Sequence, residues 1–139
     1  MIVETHATSH VGRVRRGNED NYLLLSMAYA KTSSQDANDF IVESHKFEVD
    51  SNGIILAVSD GMGGALAGEV ASKMAVDTVS QVFLNEDPEK TLIPDLDISS
   101  LAGKLYEATL YANHLIHQQG RTDPQFAGMG ATFTSVGIT

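Results

Sequence analysis

Apolar and polar residues change their spacing several times along this chain, and each change marks a different element. Residues 3–8 alternate weakly and predict a strand. Tyr22-Leu23-Leu24-Leu25 is a short apolar run between polar flanks, the pattern of a buried strand. Phe47-Glu48-Val49 alternates, Ser51-Asn52-Gly53 carries turn chemistry, and Ile54-Ile55-Leu56-Ala57-Val58 is apolar and rich in β-branching. Together these predict a β-hairpin, because Asn-Gly tolerates the positive φ of a tight turn. Between the runs, residues 11–21 are rich in glycine, charge and asparagine and predict a turn or functional loop. Residues 31–38 are polar and predict an exposed loop.

Beyond Val58 the period becomes that of a helix. Ala67, Val70, Ala71, Met74, Ala75, Val79, Val82 and Phe83 recur at three- and four-residue spacing and form one apolar stripe. Asp87-Pro88 is expected to stop that helix or open the linker after it. A second stripe runs through Ile98, Leu101, Ala102, Leu105, Ala108, Thr109, Ala112, Leu115 and Ile116, with Gly120 as its expected end. Residues 131–139 are β-branched and partly alternating, and predict a last strand. Clustered strands, then two helices, then a strand, argue for an α+β fold with a largely antiparallel sheet. The whole of 1–139 reads as one domain's worth of chain, without internal repeats.

Composition narrows the chemistry. A formal net charge of −9 disfavours nucleic acid and anionic membranes as partners. The absence of cysteine excludes a disulfide framework, a thiolate zinc site and a cysteine nucleophile. The first residues have neither a basic region nor an apolar run of signal-peptide length, and Ile54 to Val58 is too short to cross a bilayer. The expectation is a soluble, cytoplasmic protein.

Three stretches carry candidate chemistry: Arg13-Val14-Arg15-Arg16-Gly17-Asn18-Glu19-Asp20, Val58-Ser59-Asp60-Gly61-Met62-Gly63-Gly64, and Gly128-Met129-Gly130-Ala131-Thr132. Asp60 follows an apolar strand, so its carboxylate falls at a sheet edge. The glycines after it allow close backbone approach to a ligand. Magnesium and manganese favour oxygen ligands, and an Asp-Gly pair offers a carboxylate and a carbonyl. Read singly, each stretch is also an ordinary turn or a salt-bridged surface loop.

In combination, Arg-x-x-Asn-Glu-Asp followed by Asp-Gly-Met-Gly-Gly strongly resembles the opening motifs of the PPM (PP2C-like) metal-dependent serine/threonine protein phosphatases. Ala67-Gly68-Glu69-Val70-Ala71-Ser72 and Gly-Met-Gly-Ala-Thr are similar to bacterial members, so the resemblance covers residues 8–139. It implies the N-terminal portion of a β-sandwich of mainly antiparallel sheets flanked by helices. The implied activity is hydrolysis of phosphoserine or phosphothreonine in a phosphorylated protein substrate, with water activated by two Mn²⁺ or Mg²⁺ ions. By the same resemblance, Asp60 bridges the metals, the Gly61 carbonyl and Glu19 are metal ligands, Asp20 orients water at the metals, and Arg15 holds the substrate phosphate. Asp60, Asp20 and Arg15 are thus the catalytic candidates, whereas Arg13 and Arg16 are expected to face solvent.

The departures from the family pattern matter too. Met62 stands where some members place a histidine that acts as general acid, and Ala131 stands where Gly-Thr-Thr is commoner. Residues 31–52 are longer than the compact hairpin of many relatives and read as an insertion. Later Asp-Gly and Asp-Asn motifs that supply further aspartates are absent from these 139 residues. The chain alone is therefore expected to be inactive, poorly stable or prone to association, with exposed apolar faces and unpaired strand edges. The alternative is a non-catalytic relative or fragment that binds a phosphoprotein or partner chain. Two further readings are weaker: a zinc site using His114 and His117 with His6, His10 or His45, and a dinucleotide fingerprint at Gly61-Met62-Gly63, which lacks its third glycine because Leu66 stands there. Met62, Met74 and Met129 are expected to be packing residues.

Overall fold

The computed structural model describes residues 1–27, 31–34, 41–84 and 100–139. The element that organises them is strand β2 (Asp20–Ser26), buried from Asn21 to Ser26. A strand with apolar residues on both faces needs a packing layer on each side. Tyr22 and Leu24 face one layer, where they meet Phe47 and Ile54, with Val3 and Ala7 packed against them. Leu23 and Leu25 face the other, where they join Ile55, Ala57, Val76, Val79 and Phe83.

The first layer is a two-stranded antiparallel sheet of β1 (Ile2–Ser9) and β4 (Ile41–Glu48). The middle layer holds β2 between β3 (Lys31–Ser34) and β5 (Ile54–Met62). On its far side β5 pairs with β6 (Gly130–Ala131) and β7 (Thr134–Ile138), and every strand pairing is antiparallel. The third layer is made of α1 (Ala65–Leu84) and α2 (Leu101–Thr122), with a 3₁₀ turn at Pro124–Phe126. Ser100 caps α2, its hydroxyl accepting from Gly103 N at 3.1 Å. The α+β class and the two helices expected from the sequence are therefore present.

Several expectations need correction. The Asn-Gly turn is real: Gly53 has φ 81°, and Asp50 Oδ1 accepts from Asn52 N at 2.9 Å and Gly53 N at 3.2 Å. It does not make a hairpin, because β4 pairs with β1 while both edges of β5 are taken by β2 and by β6 and β7. Residues 31–34 form an edge strand rather than a loop, held through their backbone to Leu23–Ser26. Gly120 lies inside α2, which ends at Thr122; there a Cβ would stand 3.2 Å from the Phe126 carbonyl, so the residue accommodates the returning chain. The last strand is interrupted at Thr132 and Phe133. The expected stop at Asp87-Pro88 and the start of the second stripe at Ile98 lie outside the described residues.

The expectation of exposed apolar surface is met where β5 and β7 run beyond β1 and β4. Val58 and Val136 share that face and are 59% and 50% exposed. Met62 is also exposed, contrary to the packing role expected of it, whereas Met129 is buried and Met74 packs against the same cluster. Among the described residues no helix is long and apolar enough to cross a membrane.

The layering has a direct test in urea unfolding. Leu25→Ala, in the middle layer, is expected to cost about 2–5 kcal/mol. Val136→Ser, on the exposed part of the same sheet, is expected to stay within about 0.5 kcal/mol.

Candidate active site

Strand β5 does not end at Val58 but continues through Asp60 and Gly61 to Met62. Its register with β2 sets Asp20 directly opposite Asp60. Like charges in facing positions repel, so this pair needs a proton or a cation between its carboxyl groups. Partial burial raises the Asp20 carboxyl above the ordinary carboxylate range, and the facing Asp60 charge and a hydrogen bond to Asp60 raise it further. Arg15 opposes this rise and Glu19 adds a little to it.

The backbone around Asp60 is fastened on both sides. Asp60 N donates to Thr132 Oγ1 at 3.1 Å, and Thr132 N donates to the Asp60 carbonyl at 2.8 Å. Ser59 Oγ donates to the Thr132 carbonyl at 2.7 Å, and Gly61 N donates to the Glu19 carbonyl at 3.0 Å. The interruption of the last strand is thus what brings Thr132 onto Asp60. Below, Asn21 and Ser72 are buried; the Asn21 amide donates to Ser72 Oγ at 2.9 Å, and Ser72 Oγ donates to the Glu69 carbonyl at 3.2 Å.

Gly61 also has a cause in packing. A Cβ there would collide with the backbone of Gly68, 2.8 Å from its Cα. A Cβ on Gly68 would in turn stand 3.0 Å from Glu19 Cδ. The two glycines let α1 seat against the end of β5 with the Glu19 side chain over the junction. Gly63 and Gly64, at φ 118° and 90°, turn the chain from strand into helix.

Of the three arginines, Arg15 reaches the acidic group, with Nη1 3.6 Å from Glu19 Oε2. Its side chain is 72% exposed, and Arg13 and Arg16 are exposed as expected. Asp20, Asp60 and Thr132 border a cleft of about 370 Å³ whose other wall is Thr8, Ser9 and His10 at the end of β1. Nothing in the residue pattern marked Thr8 or Ser9, and His10 stood out only as a zinc candidate.

Asp20 and Asp60 are register partners at the ends of β2 and β5, and the Glu19 carboxylate and the Gly61 carbonyl belong to the residues next to them. All are hard oxygen donors, a set suited to Mg²⁺ or Mn²⁺ rather than to zinc or copper. The Asp20–Asp60 pair, lacking a basic residue between its members, fits such a cation on the same chemistry. Among the described residues, no three or more His, Cys, Asp or Glu side chains are grouped so that they could hold a metal ion. His114 and His117 are exposed on α2 and belong to no such group.

Comparison with known proteins gives this arrangement a context. No protein-family model matches the chain. It is 34% identical over 82 residues to the serine/threonine protein phosphatase PstP of Mycobacterium tuberculosis (strains CDC 1551 / Oshkosh and H37Rv), which is 59% of this chain and 14% of PstP. A Streptococcus pyogenes serotype M6 protein described as protein phosphatase 2C-type is 29% identical over 100 residues, 72% of this chain and 36% of that protein. The crystal structure of the M. tuberculosis serine/threonine phosphatase PstP/Ppp matches with a TM-score of 0.58 and 25% identity, over 99% of this chain and 43% of that one. The chain is homologous, over the matched part of its length, to the PP2C-type serine/threonine protein phosphatases, and its fold matches part of the PstP structure. It spans less than half the length of each of these relatives.

The raised Asp20 carboxyl makes stability depend on pH in a defined direction. Between the unfolded value near 3.8 and the higher folded one, the folded chain binds more protons than the unfolded chain, so stability falls as pH rises through that window. In metal-free buffer, Asp20→Asn is therefore expected to melt above wild type at pH 7, with the gap closing as pH falls below the unfolded value. Thermal melts in EDTA across that range check both the sign and the window. A second expectation concerns packing: Gly61→Ala should destabilise by about 3 kcal/mol or more, because backbone rather than a movable side chain blocks its methyl group.

Proposed function

We propose that this chain carries the phosphate-binding residue and part of the cation site of a metal-dependent serine/threonine protein phosphatase. The observation that carries the reading is the facing Asp20–Asp60 pair at the rim of the cleft. Homology to PP2C-type phosphatases supports it by supplying a reaction that needs such a site.

In this reading Asp60, Glu19 and the Gly61 carbonyl would hold the divalent cations, and Asp20 would orient water at them. Bound Mn²⁺ or Mg²⁺ would supply the Lewis acidity that lowers the pKa of water and neutralises phosphoryl charge. Arg15 receives the phosphoryl oxygens of a phosphoserine or phosphothreonine side chain through its planar fork. Attack by water in line makes one P–O bond as the ester P–O bond breaks, leaving a free hydroxyl side chain and inorganic phosphate. Met62 has no proton to give, so the leaving oxygen takes its proton from solvent or from another group in the cleft. A protein substrate, rather than nucleic acid or membrane, suits the acidic chain, and the lack of cysteine suits a cytoplasmic setting.

The cation donors named here are few for two hard cations. The chain alone is accordingly assigned no turnover. Hydrolysis of p-nitrophenyl phosphate, with and without Mn²⁺, tests this on the chain alone and on the chain joined to the rest of a PP2C-type domain. The joined form should turn over only with Mn²⁺, and Asp60→Asn should lower its rate by about 100-fold or more. Turnover by the chain alone, lost in Asp60→Asn, would show its own donors to be sufficient. Inactivity of the joined form would instead favour a non-catalytic module that binds phosphoprotein.

A further inference from the structure

Arg15 stands on the excursion between β1 and β2, which leaves the first sheet after Ser9 and enters the middle sheet at Asp20. The excursion has little core of its own. Arg13, Val14, Arg15 and Arg16 are exposed, Val14 to 94%. A guanidinium that receives a phosphate has to stand at a fixed place relative to Asp60, because misplacement of a binding group by an ångström costs orders of magnitude in rate. Packing of the loop tip cannot supply that constraint, and the Arg15–Glu19 contact at 3.6 Å is too exposed to do so.

The base of the excursion is closed by one side chain. Asn18 is 4% exposed. Its Nδ2 donates to Ser9 Oγ at 2.6 Å, and its Oδ1 accepts from Asp20 N at 3.1 Å. The amide therefore ties the last residue of β1 to the first residue of β2, and uses both its donor and its acceptor in doing so. On the outgoing limb, Gly12 at φ 82° donates its N–H to His10 Nδ1 at 2.8 Å. On the incoming limb, the Glu19 carbonyl accepts from Gly61 N. Arg15 is thus carried between two anchored limbs, and the buried Asn18 side chain is hydrogen-bonded to both ends.

We propose that Asn18 is a positioning residue: by clamping Ser9 to Asp20 it fixes where Arg15 stands relative to Asp60, and hence where the cleft receives a phosphoryl group. The role given to Arg15 rests on the phosphatase reading, whereas the clamp does not. Alanine would leave both Ser9 Oγ and Asp20 N without their buried partner, a loss that falls on the loop rather than on the layered core.

Trypsin reads the clamp directly, because it cleaves after Arg13, Arg15 and Arg16 in the excursion and after Lys104 and Arg121 in α2. Under native conditions Asn18→Ala is expected to speed cleavage at the three loop sites by about tenfold, with the α2 sites unchanged. Ser9→Ala should reproduce the effect. Ser9→Thr, which keeps the hydroxyl, should cleave at the wild-type rate, and the Ser9→Ala/Asn18→Ala double variant should be no faster than either single one. Unchanged loop cleavage in Asn18→Ala would overturn the proposal. So would an equal rise at Lys104 and Arg121, because Asn18 would then support the fold as a whole. Neither result depends on phosphatase activity, which the p-nitrophenyl phosphate assay tests separately.

Discussion

The register between β2 and β5 is the constraint on which the rest of this structure depends. The same ladder pairs Leu25 with Ile55 in the core and Asp20 with Asp60 at the cleft. A slip of one residue would turn Leu23 and Leu25 towards the first sheet and Tyr22 and Leu24 towards the helices. It would also move Asp20 off Asp60. The burial of two apolar faces therefore holds two carboxylates opposite one another, an arrangement that neither would adopt for its own stability. Core packing supplies the free energy, and the site carries the unfavourable charge pairing.

Around that ladder, other contacts restrict the site to one geometry. Thr132 holds the Asp60 backbone by both its N–H and its side chain, Gly61 and Gly68 bring α1 against the strand end, and the Asn21–Ser72 bond ties β2 to the same helix. The strand, the helix and the terminal segment each contribute, although they lie far apart in sequence. Preorganisation of this kind is what a cation site with carboxylate ligands needs, since the ligands must be held against their mutual repulsion before the cation arrives.

Much of this was legible in the residue pattern, and what was not has physical reasons. The run Tyr22 to Leu25 announced a buried strand, and the helical stripes announced α1 and α2, because burial leaves its mark on the sequence. The turn at Asn52-Gly53 announced a reversal but could not say which strand pairs with which, since hydrogen-bond partners across a sheet leave no local mark. Strand β3 was invisible because an edge strand can be polar and needs no apolar side chains to pair. The motifs containing Asp60, Glu19 and Arg15 were recognisable together and ambiguous singly. Gly61 was marked as special for its approach to a ligand, whereas its closest neighbour is Gly68. The bond from Asn18 to Ser9 and the fastening by Thr132 required the fold, because each joins segments whose proximity only the sheets create.

The ends of β2 and β5 are proposed as the seat of a divalent cation. The most direct test of this is paramagnetic broadening by Mn²⁺ in the ¹⁵N–¹H spectrum of the chain. Broadening is expected to begin at residues 19–20, 60–61 and 132, and to be abolished there by Asp60→Asn. Broadening centred on His114 and His117, or spread over the acidic surface and unaffected by Asp60→Asn, would contradict it.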